Sequence, residues 1–156
     1  ILTAAHCLVS TAKPNSFLSS VDPADLKVVV GSSKSGLINP MNVRSYVINP
    51  DFRLDTYSHD IALIQLDIDL TLNSTVQSIV IGEEPIEPHQ TLVALGWGQN
   101  ESQETSSQLQ AVNLTTSSLA PCQSQIPEFQ DHNGQFVCTA FIPGKDTCPG
   151  DSGGPL

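Results

Sequence analysis

Basic residues are scarce in this sequence. Six Lys and Arg stand against 16 Asp and Glu in 156 residues, a net charge of −10 with histidine neutral. Nucleic acids and anionic membranes attract basic surfaces, so neither is expected as a partner. Charge of either sign is sparse, at 14% of residues, against about 25% in an ordinary soluble domain. No apolar run approaches the roughly 18 residues that would suggest a membrane span. Ile1 is followed at once by Leu2-Thr3-Ala4-Ala5-His6, with no basic n-region, so no signal peptide is read in it. No cysteine lies in a CxxC, which argues against zinc and thioredoxin chemistry, and no metal is expected. Sustained 3.6-residue periodicity is lacking too, which leaves little room for long helices.

What is present is a series of short apolar runs. Leu26–Val30, Val43–Ile48, Ile61–Leu66, Thr91–Gly98, Leu109–Leu114 and Gln135–Ile142 are separated by segments rich in Gly, Pro and Asn. Runs of this kind predict the strands of a sandwich or barrel. One short helix is expected around Ser118–Gln125, where Pro121 suits a first turn. Residues 82–90, acidic with two prolines, read as a connector between two halves. Residues 99–108 read as an exposed polar loop, and residues 10–25, with Pro14, Asn15 and Pro23, as a surface insertion. The apolar share of 39% is enough for the core of one domain of this length. Cys7, Cys122, Cys138 and Cys148 can pair in three ways. Sequons stand at Asn73, Asn100 and Asn113, candidate glycosylation sites that, with the cysteines, favour an oxidising compartment.

The segment with the most chemistry in it is Gly150-Asp151-Ser152-Gly153-Gly154-Pro155. A serine hydroxyl is a weak nucleophile until an adjacent base takes its proton. Flanking glycines let the backbone bend tightly, so that amide N–H groups can face a developing oxyanion. The same pattern fits the nucleophile elbow of α/β-hydrolases, but there the histidine follows the serine, and none follows Ser152. The base is therefore sought upstream. Of the four histidines, His6 sits among small residues beside Cys7, His89 in the proline-rich connector and His132 in a polar loop; the last two are expected to be solvated. His59 adjoins Asp60 and is not dismissed on composition. An acid must fix the tautomer of the base. Asp60 opens the run Ile61–Leu66, at a strand entrance, whereas Asp51, Asp55, Asp67 and Asp69 have polar or turn-like surroundings.

Ile1-Leu2-Thr3-Ala4-Ala5-His6-Cys7, Asp60-Ile61-Ala62-Leu63, Gly96-Trp97-Gly98 and the segment around Ser152 resemble, in order, the four landmark segments of the chymotrypsin/trypsin family. The family's intervals are about 45 residues from His to Asp and about 93 from Asp to Ser. Here they are 54 and 92, and the longer first interval fits the insertion at 10–25.

The resemblance implies two antiparallel Greek-key β-barrels with the catalytic site between them: most of the first over 1–81, and part of the second over 91–156. It implies a triad of His6, Asp60 and Ser152, with Gly150 and Ser152 N–H groups as the oxyanion hole. Asp146, six residues before Ser152, would stand at the base of the specificity pocket and pair with a P1 Lys or Arg. A buried charge left unpaired there costs about 3–5 kcal/mol. Asp151 would pair with the new N-terminal ammonium when a zymogen matures. Cys122–Cys138 would be a disulfide, while Cys7 and Cys148 would pair with cysteines outside this sequence, since the family's domain extends beyond both ends of it. Pro149 departs from the pattern, replacing a residue with a backbone N–H beside Gly150. The implied protein is secreted, monomeric and free of cofactors; it cuts proteins or peptides after Lys or Arg and is open to protein protease inhibitors. Scarcity of Lys and Arg predicts slow autolysis at Lys13 or Lys34. The rival reading is an inactive protease-like binding or inhibitor protein on the same fold.

Overall fold

A computed structural model describes residues 1–10 and 19–156; residues 11–18, with Lys13 and much of the insertion read at 10–25, lie outside the described residues. Among the described residues the expected all-β class holds. Eight strands occur with two short 3₁₀ turns and one seven-residue helix, α1 (Leu119–Gln125). The strands are β1 (Leu2–Thr3), β2 (Val9–Ser10), β3 (Ser19–Ser20), β4 (Lys27–Val28), β5 (Met41–Ile48), β6 (Ala62–Leu66), β7 (Thr91–Gly96) and β8 (Gln110–Thr115). The chain divides into two compact units, Ile1–Ile79 and Val80–Leu156.

The first unit holds an antiparallel sheet in the order β1-β6-β5-β4. Along β5 and β6 apolar residues alternate with exposed ones, as a half-buried strand requires. Val43 and Ala62 are buried while Val47 and Leu63 face outward as a cross-strand pair. A register shift between Val43 and Ser45 leaves Arg44 as the extra residue of a bulge. The core gathers Ala5, Leu8 and Ala62, with Leu26, Tyr46, Ile48, Phe52 and Ile64 packed on them. Tyr46 is partly buried against this core and keeps its hydroxyl bonded to the Val21 carbonyl, which satisfies its one polar atom.

In the second unit β7 and β8 pair in unbroken register from Thr91↔Thr115 to Gly96↔Gln110. Helix α1 follows, close to its expected bounds, with Ser118 as N-cap and Cys122 fully buried. Cys122 is joined to Cys138 by a disulfide.

Two expectations fail here. The run 135–142 forms no strand and makes only isolated bridges, Thr116↔Thr139 and Ile142↔Lys145. Its pairing with residues 115–117 begins, through Ser117 N–H to Cys138 O and Ala140 N–H to Thr115 O, but the Cys138 N–H is drawn off to a side chain. That side chain is His132, which is not solvated as expected but only 4% exposed. Its Nδ1 accepts from the Cys138 N–H at 3.2 Å, its Nε2 donates to the Ser117 carbonyl at 2.8 Å, and its ring stands edge-on to Phe129 at 5.1 Å. A donor on one side and an acceptor on the other fix the neutral Nε2–H tautomer. The imidazole thus replaces a rung of the ladder that the sequence pattern predicted.

Candidate active site

In the first unit the meeting of His6 and Asp60 follows from strand register. β1 pairs with β6 as Thr3↔Ala62. In an antiparallel pair, moving onward along one strand and back along the other leads to the same end, so His6, three residues after Thr3, and Asp60, two residues before Ala62, come to lie together. A 3₁₀ turn, Ala5–Leu8, then buries Ala5 and Leu8 in the core beside Ala62 and turns His6 toward the carboxylate. The Cys7 N–H closes that turn on the Ala4 carbonyl.

Asp60 uses both oxygens on His6. Oδ1 accepts the His6 backbone N–H at 2.8 Å, and Oδ2 meets the ring Nδ1 at 2.6 Å. A carboxylate only accepts, so Nδ1 carries a proton, and in the neutral ring it is Nε2 that presents the lone pair. Both side chains are part-buried, 27% and 19% exposed, which keeps this charge-assisted bond from full solvent screening. Tyr57 stands edge-on to the His6 ring, 5.5 Å between centroids at 78°. Its φ is +54°, as is that of His59, in the left-handed region that non-glycine residues rarely occupy. The chain therefore makes two unusual turns just before Asp60, and His59 itself ends exposed. Cys7 Sγ lies 3.7 Å from His6 Nε2. Desolvation first, then the charge of Asp60, push the Cys7 thiol above its ordinary pKa, with a hydrogen bond to Thr3 acting the other way.

The second unit carries Asp146, Gly150, Asp151 and Ser152. Gly150 and Gly153 take φ of +100° and +79°, so the backbone on both sides of Ser152 bends as only glycine does readily. Asp151 staples the turn. Its Oδ1 accepts from the Gly98 N–H at 2.8 Å and its Oδ2 from the Cys148 N–H at 2.9 Å. Its own N–H and carbonyl close on Cys148 O and Gly154 N–H. The same carboxylate explains Gly96-Trp97-Gly98: a Cβ on Gly96 would stand 1.9 Å from Asp151 Oδ1, and one on Gly98 2.5 Å from its Cγ. Pro149 is built in through its carbonyl, which accepts the Gln99 N–H at 3.0 Å.

Asp146 is exposed, with Oδ1 accepting from the Thr147 N–H at 2.8 Å. It lines a cleft of about 550 Å³ with Gly96, Gly98, Phe141, Lys145 and Asp151. Ser152 is exposed and lines a second hollow of about 240 Å³ with Leu95, Leu114 and Val137. Among the described residues no three His, Cys, Asp or Glu side chains gather to hold a metal, and no helix is long and apolar enough to cross a membrane. The contact of Tyr57 with His6 and the role of His132 were not read from the sequence. A tyrosine three residues before the acid is no signal alone, and neither is a histidine six residues before a cysteine.

A sequence model of the trypsin family matches residues 1–156. Trypsin epsilon of Drosophila erecta is 32% identical over 161 residues, covering 100% of this chain and 58% of that protein. Trypsin delta of the same fly is 35% identical, covering 100% and 59%. Hypodermin-A of Hypoderma lineatum is 31% identical, covering 100% and 58%. The chain thus spans less than two thirds of the length of the curated relatives it matches. With the family matched from Ile1 to Leu156 and an all-β fold beneath it, this chain belongs to the trypsin family.

Proposed function

We propose that the protein is a secreted serine endopeptidase that cuts after Lys or Arg. Ser152 Oγ attacks the scissile carbonyl, His6 takes its proton and returns it to the leaving amine, and Asp60 holds the imidazole and offsets the charge it gains. The N–H groups of Gly150 and Ser152 receive the oxyanion, a donor of this kind being worth about 10²–10³ in kcat. The observation that carries the reading is the two-point grip of Asp60 on His6, which leaves Nε2 as the basic atom. Positive φ at Gly150 and Gly153 supports the serine segment. Asp146 on the 550 Å³ cleft supports a cationic P1 side chain. Asp151 is the partner proposed for an N-terminal ammonium formed on maturation; the amides of Gly98 and Cys148 take one bond on each of its oxygens, and a carboxylate can accept about four. The protein acts as a monomer and is open to protein protease inhibitors.

The test is turnover of an arginyl amide by the intact, activated protein, together with covalent labelling of Ser152 by an organophosphonate. Turnover of the arginyl amide well above that of a phenylalanyl amide, with label on Ser152, is expected. No turnover and no label would overturn the reading. Label with a preference for the phenylalanyl amide would overturn the role of Asp146 alone.

A further inference from the structure

The three sequons take no part in the chemistry above, and their surroundings differ. Asn113 lies inside β8, in register with Val93 of β7, and its neighbour Leu114 is buried. Asn100 Oδ1 accepts from the Ser102 and Glu104 N–H groups, and the residue lines the 550 Å³ cleft. Asn73 is exposed in the irregular chain that follows β6. Its Oδ1 accepts three bonds: from the Thr75 N–H at 2.8 Å, the Thr75 hydroxyl at 2.9 Å and the Val76 N–H at 3.1 Å. Backbone N–H groups only donate, so the atom facing them is the carbonyl oxygen. The amide nitrogen, on the opposite side, is left with a single long contact to the Thr71 carbonyl at 3.4 Å.

The turn under this amide is anchored. The Asn73 N–H closes on the Val76 carbonyl at 2.8 Å. Val76 and Thr75 lie against Gly31, whose φ is +78°; a Cβ there would come within 3.1 Å of Val76 Cγ2 and 3.3 Å of Thr75 Oγ1. Asn73 therefore offers Nδ2 from a fixed platform, and a substituent on that nitrogen disturbs none of the three bonds to Oδ1. The hydroxyl of the sequon's third residue is already held at the acceptor amide, an arrangement that is not found for Ser102 in the bonds made by Asn100 Oδ1.

We propose that Asn73 is an N-glycan acceptor, the preferred one of the three sequons. The donor is a lipid-linked diphospho-oligosaccharide. Asn73 Nδ2 forms a bond to C1 of the terminal sugar as the bond from C1 to the diphosphate oxygen breaks. The amide nitrogen loses a proton to a base of the transferase, and the lipid diphosphate departs with the bonding electron pair. No oxidation state changes. The attached glycan stands next to Leu72, a 60% exposed apolar side chain, and gives it a hydrated cover.

The test is peptide mass mapping of the intact protein secreted from eukaryotic cells, before and after a glycosidase that leaves aspartate where a glycan was attached. Most molecules are expected to carry the glycan at Asn73, with lower occupancy at Asn100 and a bare Asn113. Asn73→Gln and Thr75→Ala should each remove that glycan, while Thr75→Ser retains it. A bare Asn73 peptide, from cells that glycosylate a co-expressed control protein, overturns the proposal. So does higher occupancy at Asn100 or Asn113 than at Asn73. None of these readouts depends on peptidase activity, so the catalytic reading and this one fail separately.

Discussion

Asp60 spends its two oxygens on two parts of the same residue, the backbone N–H and the ring of His6. An asparagine there has one acceptor and one NH₂ group. Keeping the acceptor on the backbone N–H turns NH₂ toward Nδ1, and the ring answers by accepting, which moves its proton to Nε2. That is the atom proposed to take the serine proton. Asp60→Asn should therefore lower kcat by about 10⁴, the loss known for the family's archetype, with a far smaller change in KM. Steady-state kinetics on an arginyl amide checks it, with an unchanged unfolding midpoint showing that the fold is kept. The contact of His6 with Asp60 and the glycine turn around Ser152 were legible in the sequence because each sits in a short string whose residue types have a chemical reason. Tyr57 was not, because its contact depends on a left-handed φ of +54° that no residue type there announces. His132 was misread for a similar reason: polar neighbours predicted solvation, and only the folded chain shows a donor and an acceptor waiting on either side of the ring.

At the scale of elements, the apolar runs that became strands are those with a partner run to alternate against. β5 and β6 pair over most of their length, as do β7 and β8. Residues 135–142 have the composition of a strand, but a side chain claims the Cys138 N–H and a disulfide fixes its sulfur, neither of which periodicity records. The strand end at Gly96-Trp97-Gly98 shows a different kind of constraint. Neither glycine has a positive φ among those that do, so space rather than backbone freedom requires them: Asp151 fills the place of both side chains. Gly98→Ala must push the carboxylate away or break its bonds to the Gly98 and Cys148 N–H groups. The expected cost is about 2–4 kcal/mol, from overpacking and lost charge-assisted bonds. In an Asp151→Ala background the obstacle is gone, and the same substitution should cost about 1 kcal/mol or less. A double-mutant cycle on chemical denaturation midpoints measures the difference. Equal costs in both backgrounds would mean that the carboxylate is not what excludes the methyl group.

Charge is distributed unevenly over the whole molecule. Residues 80–156 hold nine of the 16 acidic residues and only Lys145 of the six basic ones, whereas residues 1–79 hold the other seven acids and five bases. The second unit thus carries most of the net charge of −10, and Glu101 and Asp146 line its larger cleft. With Asp151 they outnumber Lys145 on its lining, and a concave surface of net negative charge attracts opposite charge over roughly a Debye length, about 10 Å at 0.1 M salt and about 3 Å at 1 M. The proposed recognition of a P1 side chain by Asp146 would act at contact and be screened little. Attraction of further basic residues acts at a distance and is screened strongly. For an arginyl peptide carrying two additional lysines, kcat/KM should fall about 3–10-fold between roughly 0.02 and 0.5 M NaCl. For the same peptide with neutral flanks the fall should be under about twofold. Because steering changes encounter rather than chemistry, the loss should lie in kcat/KM at low substrate, with kcat at saturation unmoved. An equal salt response from both peptides would assign the acidic surface to solubility and leave P1 contact as the only electrostatic selection.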